Sequence, residues 1–220
     1  MKICCISDTH GIHHAIDLKP YRANILVHAG DWTKGRDNNF VETYDFLDWF
    51  SEQPYKHKLL IAGNHEVTVE NNQKEFEEIL EAYPEITYLN NSSVTIEGIN
   101  FFGSPYSNEF CGWAFMGNDS ELSKIWNGIP EDTNILVTHG PAYGVNDLVS
   151  NAFGRDPHVG SKSLSIRKAE LPNLKAHISG HIHEAYNQQV IADVLHICPS
   201  ILNERYQHVN SPIIIKVEND

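Results

Sequence analysis

Five short apolar runs in this chain each empty into side chains able to bind metal ions. Residues 2–7 lead into Asp8-Thr9-His10-Gly11, residues 25–29 into Gly30-Asp31, and residues 59–62 into Gly63-Asn64-His65-Glu66. Residues 135–138 lead into His139-Gly140, and residues 176–179 into Gly180-His181-Ile182-His183. Asp8 with His10, and His181 with His183, are spaced i, i+2, which in extended backbone sets both side chains on one face. On that reading each pair can converge on one ion. Asp8, Asp31, Asn64, His10, His139, His181 and His183 offer carboxylates, an amide oxygen and imidazoles. Such a mixed hard and borderline set suits Mn, Fe, Zn, Co or Ni and argues against Ca or a thiolate-bound metal. Seven ligands for two ions imply that one is shared. An aspartate is the natural bridge, because its two oxygens can each face one cation.

The elements that must position these groups follow from the same pattern. An apolar run of about four to eight residues closed by glycine reads as a buried strand of an α/β sheet. Such sheets place their chemistry in the loops at the carboxyl ends of their strands. Phe40, Val41, Tyr44, Leu47, Trp49 and Phe50 trace a core-facing helix that ends near Pro54. Phe76, Ile79, Leu80 and Tyr83 trace a second, with Glu75, Glu77, Glu78 and Glu81 on its solvated side. Residues 86–89 predict a strand, and residues 94–102, turning at Glu97-Gly98, a hairpin; a second sheet is expected to begin here. The irregular stretch 103–117 carries Tyr106, Phe110, Trp113 and Phe115, which predicts an ordered wall beside the site. Helices are expected at 120–127 and 161–168, and antiparallel strands at 188–197 and 212–217.

Taken together, the ordered set D-x-H, G-D, G-N-H-E, H-G and G-H-x-H resembles the calcineurin-like metallophosphoesterases, over nearly the whole chain. Phe102-Gly103-Ser104-Pro105, Cys111-Gly112-Trp113-Ala114-Phe115, Thr138-His139-Gly140-Pro141, His158-Val159-Gly160 and Asn210-Ser211-Pro212-Ile213 resemble the small branch of metallophosphoesterase-domain proteins, whose members act on cyclic nucleotides. The resemblance implies a four-layer fold of two mixed β-sheets packed as a sandwich and flanked by helices, in a single domain spanning 1–220. It implies Asp8, His10, Asp31 and His183 around one divalent transition ion, and Asp31, Asn64, His139 and His181 around the other, with Mn the expected metal. His65 becomes the free imidazole over the phosphate. Asp31, Asn64 and His65 are then the expected catalytic groups, and Asn64 and His65, with Arg155 and His158 from the polar stretch 151–160, the expected substrate contacts.

The expected chemistry is hydrolysis of a small phosphodiester such as a cyclic nucleotide. Two cations about 3.5–4 Å apart lower the pKa of a bridging water and neutralise the phosphoryl oxygens, while His65 assists the leaving group. Two other readings compete. Phosphoprotein phosphatases of the superfamily carry an arginine four residues after the G-D aspartate and another soon after G-N-H-E, where this chain has Gly35 and Val67-Thr68. They also place an aspartate three residues after the G-D acid to orient the free histidine, and here that residue is Lys34. Glu66 or a backbone carbonyl is left to orient His65. A non-catalytic nucleotide-binding module would be marked by a lost ligand, and the set is complete.

Composition narrows the remaining possibilities. A net charge of -13 repels polyanions, so non-specific nucleic-acid binding is not expected. No signal-peptide core or membrane-length apolar run is visible, which predicts a cytoplasmic protein without a membrane span. Cys4, Cys5, Cys111 and Cys198 have no paired spacing and read as reduced thiols, with Cys4 and Cys5 on opposite faces of the first strand. His13 and His14 are adjacent, a spacing that diverges on helix or strand, and so read as solvated loop or helix-start residues.

Overall fold

A computed structural model describes residues 1–35, 37–150 and 158–218. The apolar runs form strands, as their lengths require. β1 (Lys2–Ile6), β2 (Ile25–Ala29), β3 (His57–Ile61) and β4 (Ile86–Tyr88) run parallel in one sheet. β5 (Ser92–Ile96) and β6 (Ile99–Ser104) form the hairpin that opens the second sheet, and β7 (Ser107–Asn108) pairs with β8 (Met116–Gly117) beside it. β9 (Ile135–Thr138), β10 (Ala176–Ser179), β11 (Asn187–Ile191) and β12 (Val194–Cys198) complete the second sheet, and β13 (Ile213–Lys216) returns to the first. The strand orders are β13-β1-β2-β3-β4 and β11-β12-β10-β9-β6-β5. β13, β11 and β5 are antiparallel to their neighbours, so both sheets are mixed.

Side chains of period two sort into three apolar layers. Ile3, Cys5, Ile25, Val27 and Leu59 meet Phe101, Ile135, Val137, Ile178 and Ile197 between the sheets. On the outer face of the first sheet, Cys4, Ile6, Leu26 and Leu60 pack on the helices α1 (Val41–Ser51), α2 (Val67–Asn71) and α3 (Gln73–Leu80). On the outer face of the second, Phe102 and Leu136 pack on Leu122 and Trp126 of α4 (Asp119–Trp126) and Leu164 of α5 (Lys162–Ala169). The result is the expected four-layer arrangement of helices, sheet, sheet and helices. Central strands buried on both faces explain why the runs read as continuous apolar segments rather than alternating ones. Among the described residues no helix is long and apolar enough to cross a membrane.

Three local expectations are corrected. Val41 is 67% exposed and Tyr44 is also exposed, so the buried face of α1 is Thr43, Phe46, Leu47, Trp49 and Phe50. Phe46 anchors that face by stacking on Trp32 and Phe50, each at 5.3 Å between ring centroids. β4 joins the first sheet, beside β3, and only β5 starts the second. Within 103–117, β7 and β8 give some regular pairing; Phe115 is buried while Phe110 is exposed.

Candidate metal centre

The carboxyl ends of β1, β2 and β3 from one sheet, and of β9 and β10 from the other, open at the same edge of the sandwich. Ligand-type atoms converge there in three overlapping groups, Asp8–His10–His183, His10–Asp31–His65 and Asp31–His139–His181, each with its atoms within 4.8 Å of one another. The backbone that achieves this is not extended. Asp8, His10, Asp31 and His181 all have positive φ, at 53°, 39°, 60° and 70°. The i, i+2 argument therefore fails as stated: Asp8 and His10 meet through left-handed turns, and His181 and His183 fall into different groups. Left-handed backbone at four non-glycine residues puts some strain at the candidate ligands.

Asp31 divides its oxygens between the groups. Oδ1 lies 3.3 Å from His139 Nε2, whereas Oδ2 lies 3.7 Å from His10 Nε2 and 3.9 Å from His65 Nε2. Asn64 Oδ1 stands 2.9 Å from His139 Nε2 and 2.7 Å from His181 Nδ1. Asp8 Oδ1 is 3.6 Å from His183 Nε2, and the Asp8 carboxylate also accepts from the His181 backbone N–H and the Ser7 hydroxyl. Gly63 and Gly180 make the approach possible. A Cβ at Gly63 would collide with Asp31 Oδ1 and His139, and one at Gly180 would sit 2.8 Å from Asp8 Oδ2.

The hydrogen bonds behind the imidazoles decide what can lie between them. His10 Nδ1 donates to Thr33 O at 3.0 Å, His183 Nδ1 to Asn203 O at 2.9 Å, and His139 Nδ1 to Ala29 O at 2.9 Å. A carbonyl can only accept, so in the neutral rings each Nε2 presents a bare lone pair. His10 Nε2 and His183 Nε2 then face each other at 3.2 Å, and His139 Nε2 faces the oxygens of Asn64 and Asp31. Lone pairs held this close in a buried site are relieved by a proton or a metal ion shared between them, and backbone partners of this kind fix ligand tautomers at metal sites. The residues present fit divalent metal ions.

The electrostatics agree. Burial opposes charge on Asp8 and Asp31, but the facing imidazoles outweigh it and hold both carboxyls below the usual range. Burial likewise opposes a proton on His139, yet Asp31 beside it raises this imidazole to about 9, so a metal ion at this nitrogen would take the place of a proton. Burial lowers His10 and His181 to about 4 each, leaving them neutral and able to ligate.

Three features around the ligands go beyond what residue order indicated. Glu66 does not orient His65: its carboxylate accepts from the backbone N–H of Asp31 at 2.9 Å, Thr33 at 2.9 Å and Gly63 at 2.7 Å, locking the β2 and β3 loops together. Burial and the Asp31 charge push Glu66 up to about 8, but those converging donors fit its ionised form. His65 instead stacks on Trp113, ring centroids 4.4 Å apart and planes 15° apart. Gly35 makes room for that stack, since a Cβ there would lie 2.8 Å from Trp113 Cζ3. Among the described residues His65 Nδ1 has no hydrogen-bond partner. On the other side Tyr206, 56% exposed, places its ring 5.0 Å from that of His10 and 5.2 Å from that of His183. Tyr206 lies in a turn closed by Asn203 and Gln207, whose order in the sequence carries no catalytic pattern.

The remaining expected contacts part company here. His158 belongs to none of the three groups. Its Nδ1 bonds Asp147 Oδ1 at 2.7 Å, and that buried carboxylate also accepts from the Gly144 and Gly160 backbone. Arg155 lies outside the described residues.

Against known proteins, the profile of the family described as Calcineurin-like phosphoesterase matches residues 1–185. The chain belongs to the calcineurin-like phosphoesterase family. Metallophosphoesterase domain-containing protein 1 of Homo sapiens and that of Mus musculus are each 33% identical to it, over 97% of this chain and 70% of theirs. The fold is similar to that of the Thermus thermophilus protein TT1561, with a TM-score of 0.64, 14% identity, and 90% and 88% of the two chains covered. Family membership makes this protein a metallophosphoesterase-superfamily hydrolase of a family that uses divalent metal ions, and the His/Asp groups at the sheet edge are its candidate metal-binding clusters.

Proposed function

We propose that this chain is a phosphodiesterase acting on small diesters, cyclic nucleotides above all, with two transition ions at the sheet edge. The reading rests chiefly on Asp31, whose two oxygens point into different histidine groups as a bridging ligand requires. Asp8, His10, Asp31 and His183 would hold one ion, and Asp31, Asn64, His139 and His181 the other. Bound there, such ions acidify water and neutralise phosphoryl oxygens. The chain's own residues do the rest. Asn64 and the backbone locked by Glu66 keep the ligand loops in place. His65, its Nε2 turned toward Asp31 and its ring fixed by Trp113, stands where it can protonate a departing alkoxide.

Preference for a diester follows from what surrounds the ions. Gly35 and Val67-Thr68 stand where the phosphoprotein phosphatases of the superfamily carry arginines, so a phosphate monoester dianion would lack that clamp. A diester carries only one negative charge. Trp113 and Tyr206 flank the histidines and offer flat faces to an organic group such as a nucleobase. A phosphoprotein phosphatase is the weaker reading, because Gly35 supports Trp113 where those enzymes carry an arginine.

The deciding experiment is metal analysis of purified protein coupled to a panel of mono- and diesters. Two tightly held ions per chain, activity abolished by a chelator and restored by Mn, and diesters hydrolysed ahead of monoesters are expected. Full turnover in metal-free protein would sink the proposal, monoester preference would favour the phosphatase, and nucleotide binding without product would mark a non-catalytic module.

A further inference from the structure

Away from the sheet edge, the short 3₁₀ turn His13–Ala15 packs against α1. There the adjacent histidines do not diverge as their spacing suggests. His13 Nε2 lies 3.0 Å from Asp45 Oδ2, and His14 Nε2 lies 3.1 Å from Asp45 Oδ1. The two rings sit 4.5 Å apart at 47°, both turned toward the same carboxylate on α1. His13 is buried, its ring held at 5.5 Å from Phe46 and 5.3 Å from Trp49. The side chains of His14 and Asp45 are 63% and 58% exposed, so one side of the cluster is fixed by the core while the other opens to solvent.

We propose that His13, His14 and Asp45 form a peripheral binding site for a borderline divalent transition cation such as Zn, Ni or Co, separate from the Asp31 centre. All three ligand atoms fall within 4.8 Å of one another. A cation about 2.0–2.2 Å from each imidazole nitrogen and carboxylate oxygen requires donor pairs roughly 3 Å apart at ordinary coordination angles. The two nitrogen–oxygen separations already have that length. Two imidazoles beside one carboxylate favour borderline transition ions over Mg or Ca. The open side leaves the remaining positions to water.

Occupancy would tie the segment after the Asp8-Thr9-His10 turn to α1. That segment is packed toward the centre through His13 on Phe46, Phe46 on His28 at 4.9 Å, and His28 Nε2 on Thr9 Oγ1 at 3.1 Å. An ion here is therefore expected to raise thermal stability without entering the Asp31 centre.

The test is calorimetric titration of Zn²⁺ into protein whose centre is already loaded, followed by metal analysis, for the wild type, His14→Ala and Asp45→Ala. Both variants change exposed side chains, and circular dichroism confirms that they fold. One ion more per wild-type chain at micromolar Zn²⁺, absent from both variants, is the expected result. Equal uptake by wild type and variants, or extra uptake only at millimolar Zn²⁺, overturns the proposal. Occupancy of the Asp31 centre enters all arms equally, so a centre holding fewer ions than proposed leaves the difference between wild type and variants readable.

Discussion

Asp31 gives one oxygen to each side of the centre, and its Oδ1 also accepts the His65 backbone N–H at 2.8 Å. Asp31→Asn should therefore strip metal from both positions, whereas His183→Ala, whose Nε2 meets Asp8 and His10 among the candidate ligands, should mainly empty one. Elemental analysis of the two purified variants checks this, and equal metal loss would contradict a shared ligand. His65 makes the complementary case. It lies beside the ligands without a backbone carbonyl behind it, so His65→Ala should keep its metals yet lose about 10²–10⁴-fold on a cyclic nucleotide. A nitrophenyl diester, whose phenolate leaves without a proton, should lose far less. If both substrates suffer equally with metals intact, His65 binds phosphate and is not the acid.

At the scale of elements, loops rather than strands present the side chains of the centre. The turn from Asn203 to Gln207 serves two ends: Asn203 O receives His183 Nδ1, and Tyr206, with φ at 57°, is held over the histidines. A bulky residue in left-handed backbone is costly, which points to a use for its ring. Tyr206→Ala should raise KM for a cyclic nucleotide roughly ten- to a hundredfold, the span expected for one aromatic–base stack. KM for a diester without a base should hardly move, and a uniform rise would show that the turn only braces His183.

Behind the second sheet, α5, β10 and β12 bring together another set of titratable groups, His177 and His196 buried and Lys168 half-buried. Lys168 Nζ lies 3.2 Å from His196 Nδ1, and His177 Nε2 lies 2.8 Å from Thr138 Oγ1. Burial lowers Lys168 from 10.5 to about 7, lowers His196 to about 4, and holds His177 well below its usual value. Between about 7 and 10.5 the unfolded chain keeps a lysine proton that the folded chain has released, so stability rises with pH across that window. The histidines act in the same direction, with stability falling as pH drops below 6.5 toward 4. Lys168→Met should be more stable than wild type at pH 7 and lose the alkaline rise, as denaturant titrations at pH 7 and 9.5 would reveal.

For the whole molecule, the centre is a seam. Asp8, Asp31 and Asn64 come from loops of the first sheet, His139, His181 and His183 from loops of the second, so ions held between them cross-link the sandwich. Ligand held at about a hundredfold over its Kd stabilises the folded state by about 2.7 kcal/mol. For a chain of this size each kcal/mol moves Tm by about 2–4 °C, so removal by a chelator should lower Tm by roughly 5–10 °C for each ion held in that way, about 10–20 °C for two. A scan in which chelator leaves Tm unchanged would mean that the ligands do not join the sheets.

Much of this was legible from residue order. Continuous apolar runs identify strands buried on both faces, because only such strands need no polar side, and side chains at their carboxyl ends follow from how parallel sheets connect. Period alone was enough to separate Cys4 from Cys5, which enter different apolar layers. What required the tertiary structure was every relation set by backbone in left-handed turns or by residues distant in sequence. Spacing along the chain assumes extended or helical geometry, and at Asp8, His10, Asp31 and His181 that assumption fails. The partition of His181 from His183, which the family resemblance implied and spacing did not, the stacking of Trp113 on His65 over Gly35, Tyr206 above the histidines, and the meeting of His13 and His14 at Asp45 depend on where loops land after the sheets pack. Periodicity records which face of an element is buried, and it carries no information about the turn that aims a side chain once the element has ended.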